Sequence, residues 1–121
     1  MALGLAGCSP VAVLNGLTAD TGYVQHPALP YANGPHHALD LYQPLGRTEP
    51  VPIVVFFYGG SWRSGERAEY RFAAAALAQQ GLLVIVPDYR LYPEVTYPAF
   101  LQDAARAVAW TFQNAAHYGG D

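Results

Sequence analysis

Two unbroken apolar runs dominate the chain. Ile53-Val54-Val55-Phe56-Phe57-Tyr58 and Leu82-Leu83-Val84-Ile85-Val86 are β-branched and aromatic throughout, which predicts central strands covered on both faces of a sheet. Between them, Ala68–Gln80 is rich in Ala and Gln, carries Phe72, Ala73, Ala76 and Leu77 on one face, and meets a helix stop at Gly81. Strand, helix and strand in that order predict a parallel βαβ unit with a right-handed crossover. Further on, Pro98 opens a helix reaching to about His117, with Phe100, Ala104, Val108 and Phe112 along one stripe and Gly119-Gly120 at its end. Before the first run, His36-Ala38-Asp40-Tyr42 alternates with His37-Leu39-Leu41, a period of two that predicts a half-buried outer strand ending before Pro44. Gly46–Pro50 reads as a turn.

The remainder lacks periodicity. Residues 9–35 are rich in Gly, Pro, Asn, Thr and Ala and read as a tether and entry loop. The hydrophobic domain then occupies 36–121, and residues 1–8 stand apart from it. Composition agrees with a sheet buried on both faces: 52% of the 121 residues are apolar and 12% are charged. The net charge is −3, and the six basic residues are all arginines, scattered from Arg47 to Arg106 without a run, so nucleic acid is not an expected partner. Cys8 has no second cysteine to pair with, and no Cys/His cluster has zinc-ligand spacing, so neither a metal nor another cofactor is expected.

Cys8 has another reading. Leu5-Ala6-Gly7-Cys8-Ser9 resembles the lipobox at which bacterial lipoproteins are cleaved and lipidated on cysteine. The apolar lead-in is short and contains no Lys or Arg. A lipobox implies a lipid anchor to the bacterial cell envelope with residues 1–8 as a signal remnant; without one, a cytoplasmic protein is expected.

The chemistry concentrates in Tyr58-Gly59-Gly60-Ser61-Trp62, which leaves a buried strand and precedes a helix. Ligands gather at that carboxyl edge of a parallel sheet, and glycine pairs let successive N–H groups converge on an anion. Neither G-x-G-x-x-G nor a G-K-[ST] ending is present, which disfavours nucleotide binding.

Several motifs follow one another in order: G-G-S-W-R-S-G from Gly59, V-P-D-Y-R-L from Val86, P-A-x-x-x-D-x-x-x-A-x-x-W from Pro98, and G-G-D at the end. Over roughly Tyr31–Asp121 this resembles the α/β-hydrolase carboxylesterases related to hormone-sensitive lipase and to bacterial feruloyl and acetyl esterases. The resemblance implies an α/β fold, a mostly parallel sheet with flanking helices that ends ahead of the nucleophile elbow. It implies hydrolysis of a small-molecule ester through an oxyanion hole whose backbone donors are Gly60 and Ser61. Gly59 would be the permissive turn residue and position 58 the loop's side-chain support. The family usually carries histidine where Tyr58 stands, a change that removes an imidazole and leaves the backbone donors untouched. Trp62, Tyr89 and Tyr92 would border the substrate pocket.

No residue of a Ser-Asp-His triad is expected among these 121, because Ser9, Ser61 and Ser64 all lack the glycine frame of a G-x-S-x-G elbow. The chain alone is therefore expected to be inactive. His26, His36, His37 and His117 read as solvated surface groups, and Asp88, Arg90, Glu94 and Asp103 as structural ion pairs, Arg90 with Asp103 in particular. The competing reading is a non-catalytic module, either a degenerate hydrolase or a Rossmann-like small-molecule binder.

Overall fold

The computed structural model describes residues 10–17, 19–60 and 64–121. Its elements are α1 (Pro10–Leu17), β1 (Tyr23–Pro30), β2 (Ala38–Pro44), β3 (Ile53–Val55), α2 (Arg71–Gln79), β4 (Leu83–Pro87) and α3 (Ala99–Asn114), with 3-10 turns at Arg67–Tyr70 and Ala115–Tyr118. The four strands form one sheet in the order β1-β2-β4-β3.

β4 organises the molecule. All five of its residues are buried, and their alternation feeds two cores on opposite faces of the sheet. Val84 and Val86 pack with Ala74, Ala75 and Ala78 of α2, together with Tyr23, Tyr42, Tyr58 and Tyr89. Leu83 and Ile85 pack with Leu39, Leu41, Val51 and Ala115, and Trp110 and Tyr118 lie against that cluster. Helices on both faces explain why this strand has no polar position.

Three expectations need correction. First, the sheet is mixed: β3 runs parallel to β4 from Ile53↔Leu83 to Val55↔Ile85, whereas β2 is antiparallel to both β4 and β1. The parallel βαβ unit is there, but two of the three pairings are antiparallel. Second, β2 is an inner strand, since β1 occupies the edge expected of it. Residues 9–35, read as a tether, contain α1 and all of β1. Pro27 and Pro30 hid that strand, yet proline is tolerated where the N–H side faces no partner. The pairing register shifts between His26 and Leu29, and there the Ala28 N–H donates to the Asp40 carboxylate at 2.9 Å. A side chain thus replaces the ladder partner at a bulge. Third, β3 is shorter than the six-residue apolar run and only half-buried, with β4 as its one strand neighbour among the described residues. An apolar depression of about 440 Å³ lies beside it, bordered by Ile53, Val55, Val108, Phe112 and Gly120.

Both helices are rotated from the expected faces. In α2 the buried residues are Ala74, Ala75 and Ala78, while Ala76 is exposed. Four consecutive alanines carry almost no directional signal, so their small size, which lets the backbone approach the sheet, decides the rotation. In α3 the buried stripe is Phe100, Asp103, Ala107 and Thr111, and Phe112 is 88% exposed. Asp103 sets that rotation because its partners lie on the sheet side. Gly81 and Gly119 have φ of +96° and +84° and close the two helical segments, as their sequence positions suggested.

Candidate active site

Because β3 and β4 are parallel, the residues that leave their carboxyl ends come together. Tyr58 follows the one and Asp88-Tyr89-Arg90 the other. The Tyr58 hydroxyl donates to Asp88 Oδ1 at 2.8 Å, and the Tyr89 hydroxyl donates to the Tyr58 carbonyl oxygen at 2.7 Å. Their rings stack at 4.8 Å, and Tyr70 also stacks with Tyr58, at 5.7 Å. The Arg67 main-chain N–H donates to Asp88 Oδ1 at 2.7 Å, and its guanidinium joins Asp88 Oδ2 to Asp40 Oδ1. An unbroken line of charge-assisted bonds therefore runs from β2 through Asp40, Arg67 and Asp88 to the loop.

Burial, reinforced by the Asp88 charge and hydrogen bond, raises the Tyr58 phenol well above its ordinary range, so it stays a protonated donor. Burial would lower the Arg67 guanidinium, but the bonds and charges of Asp40 and Asp88 outweigh it and raise it. The residue ahead of the glycine pair is thus a phenol with a carboxylate of its own.

The loop itself requires glycine at two places. Gly60 has φ +134°, and a Cβ there would stand 2.2 Å from the Ser64 carbonyl oxygen. Gly65 has φ +108°, and a Cβ there would meet the Tyr58 ring at 2.8 Å. Gly59, expected to be the permissive turn residue, has no positive φ, and among the described residues nothing lies within 4 Å of its Cβ position. The conformational demand falls on Gly60 and Gly65 instead. Ser61 and Trp62 lie outside the described residues, as does Cys8. Tyr89 is 3% exposed, whereas Tyr92 is 45% exposed.

A second polar cluster lies on the other face. Asp103, with no exposed surface, accepts from Arg90 Nε at 2.9 Å, Arg90 N at 3.0 Å, Arg106 Nη1 at 3.2 Å and His37 Nε2 at 2.8 Å. The expected Arg90–Asp103 pair is present. His37, read as a surface histidine, is buried against Asp103 and the Asn33 carbonyl. It falls on the same alternating face as Leu39 and Leu41, and α3 covers that face through Asp103. His36 is exposed beside Glu94. Among the described residues, no group of three or more His, Cys, Asp or Glu side chains could hold a metal ion.

Arg67, Asp40, Gly65 and Tyr70 were not singled out by sequence. The available signal was rarity: with only 12% charged residues, an Asp flanked by Leu39 and Leu41 had to find a partner.

Solved structures place this arrangement in a class. The chain superposes on esterase B from Lactobacillus rhamnosis with a TM-score of 0.84 and 26% identity, over 92% of this chain and 37% of that one. It is 38% identical over 91 residues to the probable isoprenylcysteine alpha-carbonyl methylesterase ICMEL1 of Oryza sativa subsp. japonica, a match covering 75% of this chain and 21% of the relative. Against esterase LipC of Mycobacterium tuberculosis, identity is 34% over 101 residues, covering 82% of this chain and 25% of the relative. The fold is that of the α/β-hydrolase class. The chain belongs to the BD-FAE family, whose model matches residues 39–121. It spans between a fifth and a quarter of the length of these two curated relatives.

Proposed function

We propose that this chain is the oxyanion-hole side, and the front part, of a serine carboxylester hydrolase acting on small-molecule esters. In that chemistry a serine Oγ attacks the ester carbonyl carbon while a histidine takes its proton. The carbonyl oxygen becomes an oxyanion, the alcohol departs with the proton, and water then releases the acid from the acyl-serine. The main-chain N–H groups of Gly60 and Ser61 would receive the oxyanion. Serine, acid and histidine would come from outside these 121 residues. One observation carries this reading: Gly60 is held at φ +134° against Ser64, at the carboxyl edge of the parallel pair, where no other residue fits.

Esterase assays test it directly. The 121-residue chain is expected to hydrolyse p-nitrophenyl acetate no faster than buffer, and the same chain joined to a segment bearing a G-x-S-x-G elbow and its histidine is expected to turn it over. Specific hydrolysis by the chain alone, abolished by Ser61→Ala, would overturn the assignment of Ser61 as a backbone donor.

A location follows from the amino terminus. We propose lipidation of Cys8 and attachment to a bacterial envelope. The Leu5–Cys8 motif is followed directly by α1, whose Val13 and Leu17 are 43% and 79% exposed, and no charged residue precedes Asp20. One acyl chain anchors weakly, and an adjoining apolar face adds to it. Labelled palmitate is expected to be incorporated by cells expressing the chain and lost in Cys8→Ala; an unlabelled but secreted product would refute the anchor. Among the described residues, no helix is long and apolar enough to cross a membrane.

A further inference from the structure

The residue before Gly59 is gripped at two separate points. Its side chain ends on Asp88, which the Arg67 N–H and guanidinium hold in place, and its main-chain oxygen accepts the Tyr89 hydroxyl. Because a peptide unit is planar, fixing the Tyr58 carbonyl also fixes the direction of the Gly59 N–H, and with it the path of the chain into Gly60. Both anchors come from the same two residues, Asp88-Tyr89, at the end of the fully buried β4. The loop is thus referenced to the fully buried strand of the sheet and not only to its own.

We infer that Asp88 and Tyr89 are positioning residues for the oxyanion-hole loop, acting through the side chain and the main-chain carbonyl of Tyr58 respectively. The inference rests on the function proposed above for Gly60. Tyr89, which the family resemblance assigned to a pocket wall, acts instead through a hydroxyl aimed at the backbone. Asp88 serves as the acceptor that lets a tyrosine stand at position 58. Neither touches substrate: both set the angle at which the loop presents its N–H groups, and a small error in such an angle is costly in the transition state.

Tyr89→Phe isolates the main-chain grip, since it deletes one hydroxyl and leaves both stacked rings. In the ¹³C,¹⁵N-labelled 121-residue chain, the Tyr58 carbonyl resonance is expected to move upfield on losing its donor. The backbone order parameters of Gly59 and Gly60 should fall from about 0.85 towards about 0.6, while those of Val84 and Ile85 hold. An unmoved Tyr58 carbonyl, or loosening shared equally by β4, would overturn the inference. Should Tyr89→Phe fail to fold, the unsubstituted chain decides, because a Tyr89 hydroxyl bonded as described must show a slowly exchanging proton, and its absence overturns the grip.

In an esterase built on this chain, Tyr89→Phe is expected to lower kcat about tenfold, the worth of one net hydrogen bond, with KM unchanged. A rise in KM alone would return Tyr89 to the pocket wall. The two readings fail separately: an inactive parent enzyme removes the ester chemistry and leaves the resonance data standing, whereas normal hydrolysis with an undisturbed Gly60 removes the positioning role.

Discussion

Gly60→Val, placed in an esterase built on this chain, is expected to lower kcat by about 10²–10³-fold, the loss seen when an oxyanion donor is removed. The atom in the way decides the size of the effect. A Cβ at position 60 meets the Ser64 carbonyl oxygen at 2.2 Å and its carbonyl carbon at 2.9 Å, both backbone, so no side-chain rotation can make room. The φ of +134° is closed to branched side chains in any case. Gly60→Ala should therefore be nearly as damaging as Gly60→Val. Gly59→Ala is the control: among the described residues nothing lies within 4 Å of its Cβ position, so activity should be largely kept. Because the site is a loop and the cores lie elsewhere, urea unfolding of the Gly60 variants should change far less than their turnover. Full activity in Gly60→Val would refute the placement of the oxyanion hole.

Asp103→Ala is expected to be the most destabilising single change in α3, by about 3 kcal/mol, the lower end of what breaking a buried ion pair costs. Arg90 and Arg106 are partly exposed and can turn to water once the carboxylate is gone, whereas His37 is buried and left without its Nε2 partner. Such a loss is a large share of a typical domain's stability. Asp103→Asn, which keeps an acceptor for His37, should lose less. Acid unfolding gives the second signature. Burial alone would raise the Asp103 carboxyl, but the Arg90 side-chain and backbone bonds and the His37 bond outweigh it and hold it below the ordinary carboxylate range. A carboxyl depressed in the folded state contributes its full stability above the unfolded value of about 3.9, and that contribution disappears as pH falls through the folded value. The parent should thus weaken steeply below about pH 4, and Asp103→Asn should lack that part of the slope. A loss of under about 1 kcal/mol in Asp103→Ala by urea unfolding would show that the cluster is ornamental.

Much of this was legible along the chain. Leu82–Val86 is read as a buried strand because five successive positions are apolar, and the observed strand, Leu83–Pro87, lies one residue on; with helices on both faces there is no polar side to hide the signal. The glycine loop, the two helices and their glycine stops were readable for the same kind of reason: each is a local requirement of backbone or burial. The Arg90–Asp103 pair was legible because charges are scarce and one of them sat in an apolar helix.

What the chain could not reveal was relative position. β1 breaks local strand rules with two prolines and is a strand only because it lies at the edge, against β2. The rotation of α2 among four alanines, and of α3 about Asp103, was fixed by contact with the sheet, since neither stripe outweighs its neighbours by hydrophobicity. His37 shares its alternating face with Leu39 and Leu41, but the carboxylate that lets an imidazole be buried there came from α3, 66 residues away. The support beneath the loop was the least visible of all. Asp40, Arg67, Asp88 and Tyr58 are separated by up to 48 residues, and nothing local marks them as one assembly. Sequence determined the central buried strand, the two helical segments and their glycine stops. Only the parallel pairing of β3 with β4, which sets their carboxyl ends side by side, decided that a tyrosine, an aspartate and an arginine would hold the loop.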